Sequence, residues 1–264
     1  MAVQRFLLKP IQKVRQYIRY SLALPDIEGE SKFSNGLSND YEMPEPTSVD
    51  DLSELFTWGG AVDAELSSSH PREHWSVSTV NPAAALLRLP GLHLRSGFRL
   101  VSYLYRFESK GVGVVWALPE ELSTTAQLEK ALPYSGSISQ VPKPDGALPH
   151  FMDAIAGDRS PASFLIASIL RRELEEFGAL GDRCDWTHHR LIDTVPAEIE
   201  WKWTSEQLKS LSPKVKVLPD GQAAVEFFTC RTTPVPTLYR HTDYYPVGQY
   251  KPNSLDKIIA GVRS

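Results

Sequence analysis

The chain has 264 residues, 23% charged and 42% hydrophobic, with a net charge of −4. That balance belongs to an ordinary globular protein with one large domain or two small ones, and gives no global pull toward nucleic acid. Two cysteines, Cys184 and Cys230, make no disulfide framework, and no apolar run approaches the roughly 18–20 residues of a spanning helix, so a reducing, cytoplasmic setting is expected.

The net charge hides a segregated distribution. Residues 1–25 carry Arg5, Lys9, Lys13, Arg15 and Arg19 with no acid, whereas residues 26–56 carry nine acids against Lys32 alone. Any charge-driven partner is therefore expected at the N-terminus. Pro10 opens a helix and Pro25 ends it. Between them Ile11, Val14, Ile18 and Leu22 recur at spacings of three and four, with Lys9, Lys13, Arg15 and Arg19 on the remaining surface. This basic amphipathic helix docks on the protein's own body, on an anionic membrane surface or in a partner's groove. Residues 26–55 read as an acidic, flexible linker, with Ser48–Asp51 placed to cap a short helix over Leu52–Phe56.

A globular domain is expected over 56–264. His74–Val80 reads as a strand and Ala83–Leu89 as a short helix behind Asn81-Pro82. Phe98–Phe107 and Val112–Leu118 form a hairpin apolar on both faces, which places it at the centre of a sheet. A helix follows Ser123, and 134–150 is an irregular connection. Ser160 as N-cap, Pro161 at the first helical position and Gly178 past the end bound a helix over 161–177. Its apolar first half is expected to cross a sheet face as the core helix, and Glu173, Glu175 and Glu176 to form a solvated face. Glu198–Trp203 reads as a half-exposed strand, Glu206–Leu211 as a short helix and 214–231 as a second hairpin. Ser254–Gly261 reads as a last helix.

Cys184-x3-His188 is the only tight pairing of metal-ligating residue types near a second cluster, Cys230, His241 and Asp243, and structural zinc wants two close pairs. No metal and no cofactor is expected. No Gly-x-Ser-x-Gly elbow or phosphate-binding glycine loop is present. One polar cluster stands apart: Tyr239, Arg240, His241 and Asp243 fall within five residues. They suit a pocket rim, a polar network or a ligand site. No RNA-binding signature accompanies them, so no specific nucleic acid partner is expected.

At FRLVSYLYR, GVGVVWALPEE and GDRSPASFLIASILRRELEEFGALG the chain resembles uncharacterised conserved proteins of cyanobacteria, over roughly residues 55–264. The resemblance brings no known activity and no catalytic residue. It implies a bacterial cytoplasm filled with thylakoid membranes and a role in photosynthetic or envelope physiology. The expected architecture is α+β: a mainly antiparallel sheet with a core helix packed on one face, preceded by the basic helix on its acidic linker. The expected function is a non-enzymatic interaction or assembly factor. It would act at a protein partner or an anionic membrane through Lys9, Ile11, Lys13, Val14, Arg15, Ile18 and Arg19. The alternative is a small-ligand binder or enzyme with a site around Arg240, His241 and Asp243.

Overall fold

The computed structural model describes residues 3–24, 73–107, 110–204, 207–208 and 210–262. Two compact units divide the chain, one of Met1–Ala23 with Arg72–Ser264, the other of Leu24–Pro71. The fold described is that of the first. The acidic linker and the short helix over Leu52–Phe56 lie outside the described residues, whereas the helix expected at 206–211 is not formed: Gln207, Leu208, Ser210 and Leu211 are irregular, and Leu208 and Leu211 pack against the sheet instead of lining a helix face.

Antiparallel sheets carry more of the fold than helices do, an α+β or mainly β architecture. The large sheet runs in the order β1 (Val3–Arg5), β9 (Lys214–Val217), β10 (Ala223–Arg231), β11 (Thr237–Tyr245), β12 (Asn253–Val262), β8 (Trp201–Trp203). Strand β7 (His189–Ile192) also pairs with β10, beyond the end of β9. The hairpin of β4 (Phe98–Phe107) and β5 (Lys110–Pro119) belongs to a separate three-stranded sheet with β2 (Trp75–Val77). There Trp75, Tyr103, Tyr105, Leu118 and Leu128 make a cluster of their own. A third pair joins β3 (Leu92–Leu94) to β6 (Ile155–Gly157). The hairpin is therefore not the centre of the main sheet, as its two apolar faces suggested. Its cover comes from local packing, and the larger sheet is built by the C-terminal third of the chain with the N-terminal β1 added at one edge.

Helix α1 is Leu8–Ser21, α2 is Thr125–Lys130 and α3 is Pro161–Glu175. Ser160 caps α3 by accepting from the Ser163 backbone N–H, and Pro161 sits where a missing N–H costs nothing. Past its end, Gly178 holds φ at +68°, and a Cβ there would meet the Leu104 Cδ1 methyl at 2.4 Å, so only glycine lets the chain turn against the hairpin. Phe164, Ile169 and Leu170 of α3 are fully buried, and Tyr245 on β11 donates to the Phe164 carbonyl at 3.1 Å.

Two helical readings change. Pro82–Leu86 is a 3-10 turn, with the Asn81 side chain accepting from Ala83 N–H. Ser254–Gly261 lies within strand β12, paired along its length with β11. Leu255, Ile258 and Ile259 have helical spacing, but tertiary pairing overrides so short a pattern. The stretch Glu198–Trp203 is strand only over Trp201–Trp203.

Helix α1 packs on the body of its own unit. Ile11, Ile18 and Leu22 are buried, Val14 is half-buried, and Lys9 and Lys13 are exposed. Arg15, expected on the wet surface, is buried and paired at 2.5 Å with Glu173, which is itself buried in α3. Arg19 reaches the other oxygen of Glu173 at 3.0 Å. No helix of the described residues is long and apolar enough to cross a membrane.

Candidate functional site

Strand alternation decides where the polar cluster of β11 goes. Tyr239, His241, Asp243 and Tyr245 point toward α3, while Arg240, Thr242 and Tyr244 point to the opposite face. The structure therefore separates Arg240 from His241 and Asp243. Arg240 pairs with Glu226 across the outer face and is 43% exposed. Asp243 is fully buried, and Arg172 of α3 clamps it with both terminal nitrogens, at 2.6 and 3.0 Å. Burial alone would raise the Asp243 pKa, but the neighbouring Arg172 charge and hydrogen bonds outweigh it and hold the carboxyl below its usual range. Asp243 is thus sealed in an ion pair, and a ligand reaching it would have to displace Arg172.

His241 belongs to something else. On this inner face Asp256, His241, Thr229 and His189 lie on four adjacent strands, β12, β11, β10 and β7. His241 Nδ1 stands 2.8 Å from Asp256 Oδ1, off the line of its N–H, so the contact is more electrostatic than an aligned hydrogen bond. His241 Nε2 and His189 Nδ1 each lie 2.8 Å from the Thr229 hydroxyl, which is wholly buried between them. His189 and His241 are 4% and 2% exposed.

The donors can be counted. Beside the Asp256 carboxylate, His241 Nδ1 must carry the proton, because a lone pair there would face a negative oxygen. His241 Nε2 is then an acceptor and takes the single hydroxyl proton of Thr229. Thr229 oxygen accepts in turn, so His189 Nδ1 must be N–H. His189 Nε2 is left with a bare lone pair; the Asp185 carboxylate, 3.9 Å away, is beyond hydrogen-bond reach and pairs with Arg231 at 3.1 Å. Burial is the main cause that pushes the His189 pKa down to about 4, with His241 adding to it and Asp185 opposing. Burial likewise lowers His241. Asp256 goes the other way: burial would raise it, but His241 and Arg172 outweigh that and hold it well below the carboxylate range.

The surroundings fix the rings. Trp186 stacks on His189 with centroids 5.4 Å apart, and Tyr239 packs on the same imidazole at 4.7 Å. The Arg15 guanidinium lies 4.5 Å from the Trp186 ring centre, and Trp186 Nε1–H donates to Glu173 at 2.6 Å. Arg15 also donates to the carbonyls of Trp186, at 2.8 Å, and His189. The N-terminal helix thus supports the histidine from behind. In front, a cleft of about 350 Å³ is lined by Arg172, Arg183, Asp185, Trp186, His189 and Tyr239, among others. Arg183 is exposed, and no ion pair holds it among the described residues. A smaller hollow of about 260 Å³ lies behind Glu173 and contains no histidine.

Of the residues singled out in the sequence, Tyr239 and His241 line the cleft, Asp243 lies beneath it and Arg240 lies on the far side of the sheet. Ile11, Arg15 and Ile18 face the body, Val14 is half-buried, and Lys9 and Lys13 face solvent. Thr229, His189, Asp256 and Arg172 went unassigned. The period-two run Tyr239-x-His241-x-Asp243-x-Tyr245 was the available signal for one polar face, and reading β12 as a helix hid Asp256. Burial raises both thiols, Cys184 and Cys230, and no group of three or more metal-ligating side chains occurs among the described residues. No family model, curated protein or solved structure matches the chain.

Proposed function

We propose that the cleft binds a small polar molecule and that His189 accepts a proton from it. One observation carries this reading: the Asp256–His241–Thr229–His189 line runs to the edge of the cleft, where counting donors along it leaves His189 Nε2 without a proton. A ligand O–H or N–H delivers its proton to His189 Nε2. His189 Nδ1–H then passes its proton to Thr229, and Thr229 passes its own to His241 Nε2. The positive charge comes to rest on His241, 2.8 Å from the Asp256 carboxylate, rather than on His189, whose neighbour Asp185 stands 3.9 Å away, so charge attraction offsets the cost of burial there. Arg183 on the rim offers a place for an anionic group of the same ligand.

The test is a thermal-shift screen of small carboxylic acids, phosphates, phenols and hydroxy acids against wild-type protein and His189→Gln. A compound that stabilises the wild type and loses at least about tenfold in affinity in the variant supports the reading. Equal binding by both proteins contradicts it.

A second reading, an interaction or assembly factor at a membrane or photosynthetic complex, draws on the exposed Leu7, Lys9, Lys13 and Tyr20 of the α1 region. With Ile11, Ile18 and Leu22 facing the body, such contact would rest on charge rather than insertion, and would be lost at high salt. Co-sedimentation of the full chain with anionic and neutral vesicles at low and high salt tests it.

A further inference from the structure

We propose that the outer face of the large sheet binds the phosphate backbone of a single-stranded nucleic acid. Five charged residues form one row across that face, one per strand: Arg5 on β1, Lys214 on β9, Glu226 on β10, Arg240 on β11 and Lys257 on β12. Arg5 is the cross-strand partner of Lys214, Lys214 of Glu226, and Arg240 of Lys257. Cross-strand partners share a face, so the pairing puts these side chains together without further assumption. Glu226 closes the row by pairing with Lys214 at 2.6 Å and with Arg240. Four cations and one anion leave the row with a net charge of +3. Lys216, exposed on the same face beside Val3, adds to it.

The row costs stability. Like charges directly opposite one another on neighbouring strands repel, and this face holds two such pairs, Arg5–Lys214 and Arg240–Lys257. One glutamate, 12% exposed, offsets part of that. The cationic side chains remain in water, Lys214 at 42% and Arg240 at 43% exposure, with Arg5 and Lys257 exposed as well. An anionic partner would turn the repulsion into attraction.

Geometry selects the kind of partner. Five strands at about 4.8 Å spacing make the row roughly 19 Å long, the span of about three to four phosphates along a single strand. Neighbouring strands rotate by roughly 20–25°, so the side chains fan through about 80–100° from β1 to β12. A flat bilayer meets only part of such a fan, whereas a flexible backbone follows it. Tyr244, four residues beyond Arg240 on the same face and 51% exposed, supplies an aromatic surface on which a base can stack. The binding is to backbone and stacked base, without readout of base edges.

The test is fluorescence anisotropy of labelled oligouridylate and oligodeoxythymidylate 12-mers with the full chain, from 50 to 300 mM salt. Polyglutamate serves as competitor, and phosphatidylglycerol vesicles make a parallel arm. A net row charge of +3 predicts a slope of log K against log salt near −2, from about 0.7 counterion per neutralised phosphate on a single strand. The double variant Arg5→Gln/Lys257→Gln removes exposed charges and one member of each like-charge pair, so it should melt no lower than the wild type. It should bind about tenfold or more weaker at 50 mM salt, with a slope nearer −1. Tyr244→Ala should weaken binding without changing the slope. No binding at 50 mM salt, an unchanged slope in the double variant, displacement by polyglutamate at equal charge, or binding to vesicles alone would each overturn the proposal.

Discussion

Strand β11 sends alternate side chains to two different environments, and each environment carries a row of polar groups across the same sheet. On the inner face Tyr239, His241, Asp243 and Tyr245 meet α3, and their charges are neutralised by partners within the fold: Arg172 on Asp243, Asp256 beside His241, Thr229 between the two histidines. On the outer face Arg240 and its neighbours keep most of their charge in water, with Glu226 the single acid of the row. The chemistry of the residues is similar, and burial makes the difference. A charge inside must be matched or the fold loses it, whereas a charge outside contributes little to folding and stays available for a partner.

The largest test of that contrast is Asp243→Asn. Removing the anion leaves Arg172 buried with only the half-exposed Asp256 for charge, and breaking one side of such a pair costs about 3–5 kcal/mol in chemical denaturation. Arg240→Gln on the next residue of the same strand should cost less than about 1 kcal/mol. Similar losses for the two variants would dissolve the distinction between the faces.

Ile169→Ala probes the apolar part of the inner layer. Ile169 is fully buried in α3, so emptying the site should cost about 2–4 kcal/mol, and a loss below about 0.5 kcal/mol would make α3 peripheral.

The pH dependence comes next in size. His189 titrates near 4 in the fold and near 6.5 when unfolded, so between those values the unfolded chain binds more protons. Stability should therefore fall as pH drops from about 6.5 to 4, by something on the order of 3 kcal/mol from this residue, and level off for this group outside the window. The depressed carboxylates Asp243 and Asp256 act lower down: their contribution is full above the unfolded carboxylate range and is lost only as pH falls below it. His189→Gln should make the 4–6.5 segment shallower, with the depressed His241 keeping its own share of the slope, and leave the steeper acid limb in place. Thr229→Val, nearly isosteric, should cost about 1–3 kcal/mol by stranding two buried ring nitrogens.

Much of the scaffold was legible in the sequence, because local chemistry specifies it. Ser160, Pro161 and Gly178 mark the ends of α3, and the Pro219-Asp-Gly221 turn separates β9 from β10. The site was less legible, because its members come together only through strand pairing. Thr229 is an unremarkable residue in VEFFTC until β7 and β11 flank it, and Arg15 and Glu173 look like surface charges until α1 and α3 meet. The basic row hid for the same reason. Its members are 5, 214, 240 and 257 in sequence, and only the register of four strand pairings aligns them.

The proton positions along Asp256–His241–Thr229–His189 are the central claim, and ring 15N chemical shifts of histidine in the full chain at pH 7 read them directly. The pattern expected is a protonated Nδ1 and a bare Nε2 on both His189 and His241, with neither ring charged, and with His189→Gln removing one of the two sets. A protonated Nε2 on His189, or an imidazolium on either ring at that pH, would contradict it.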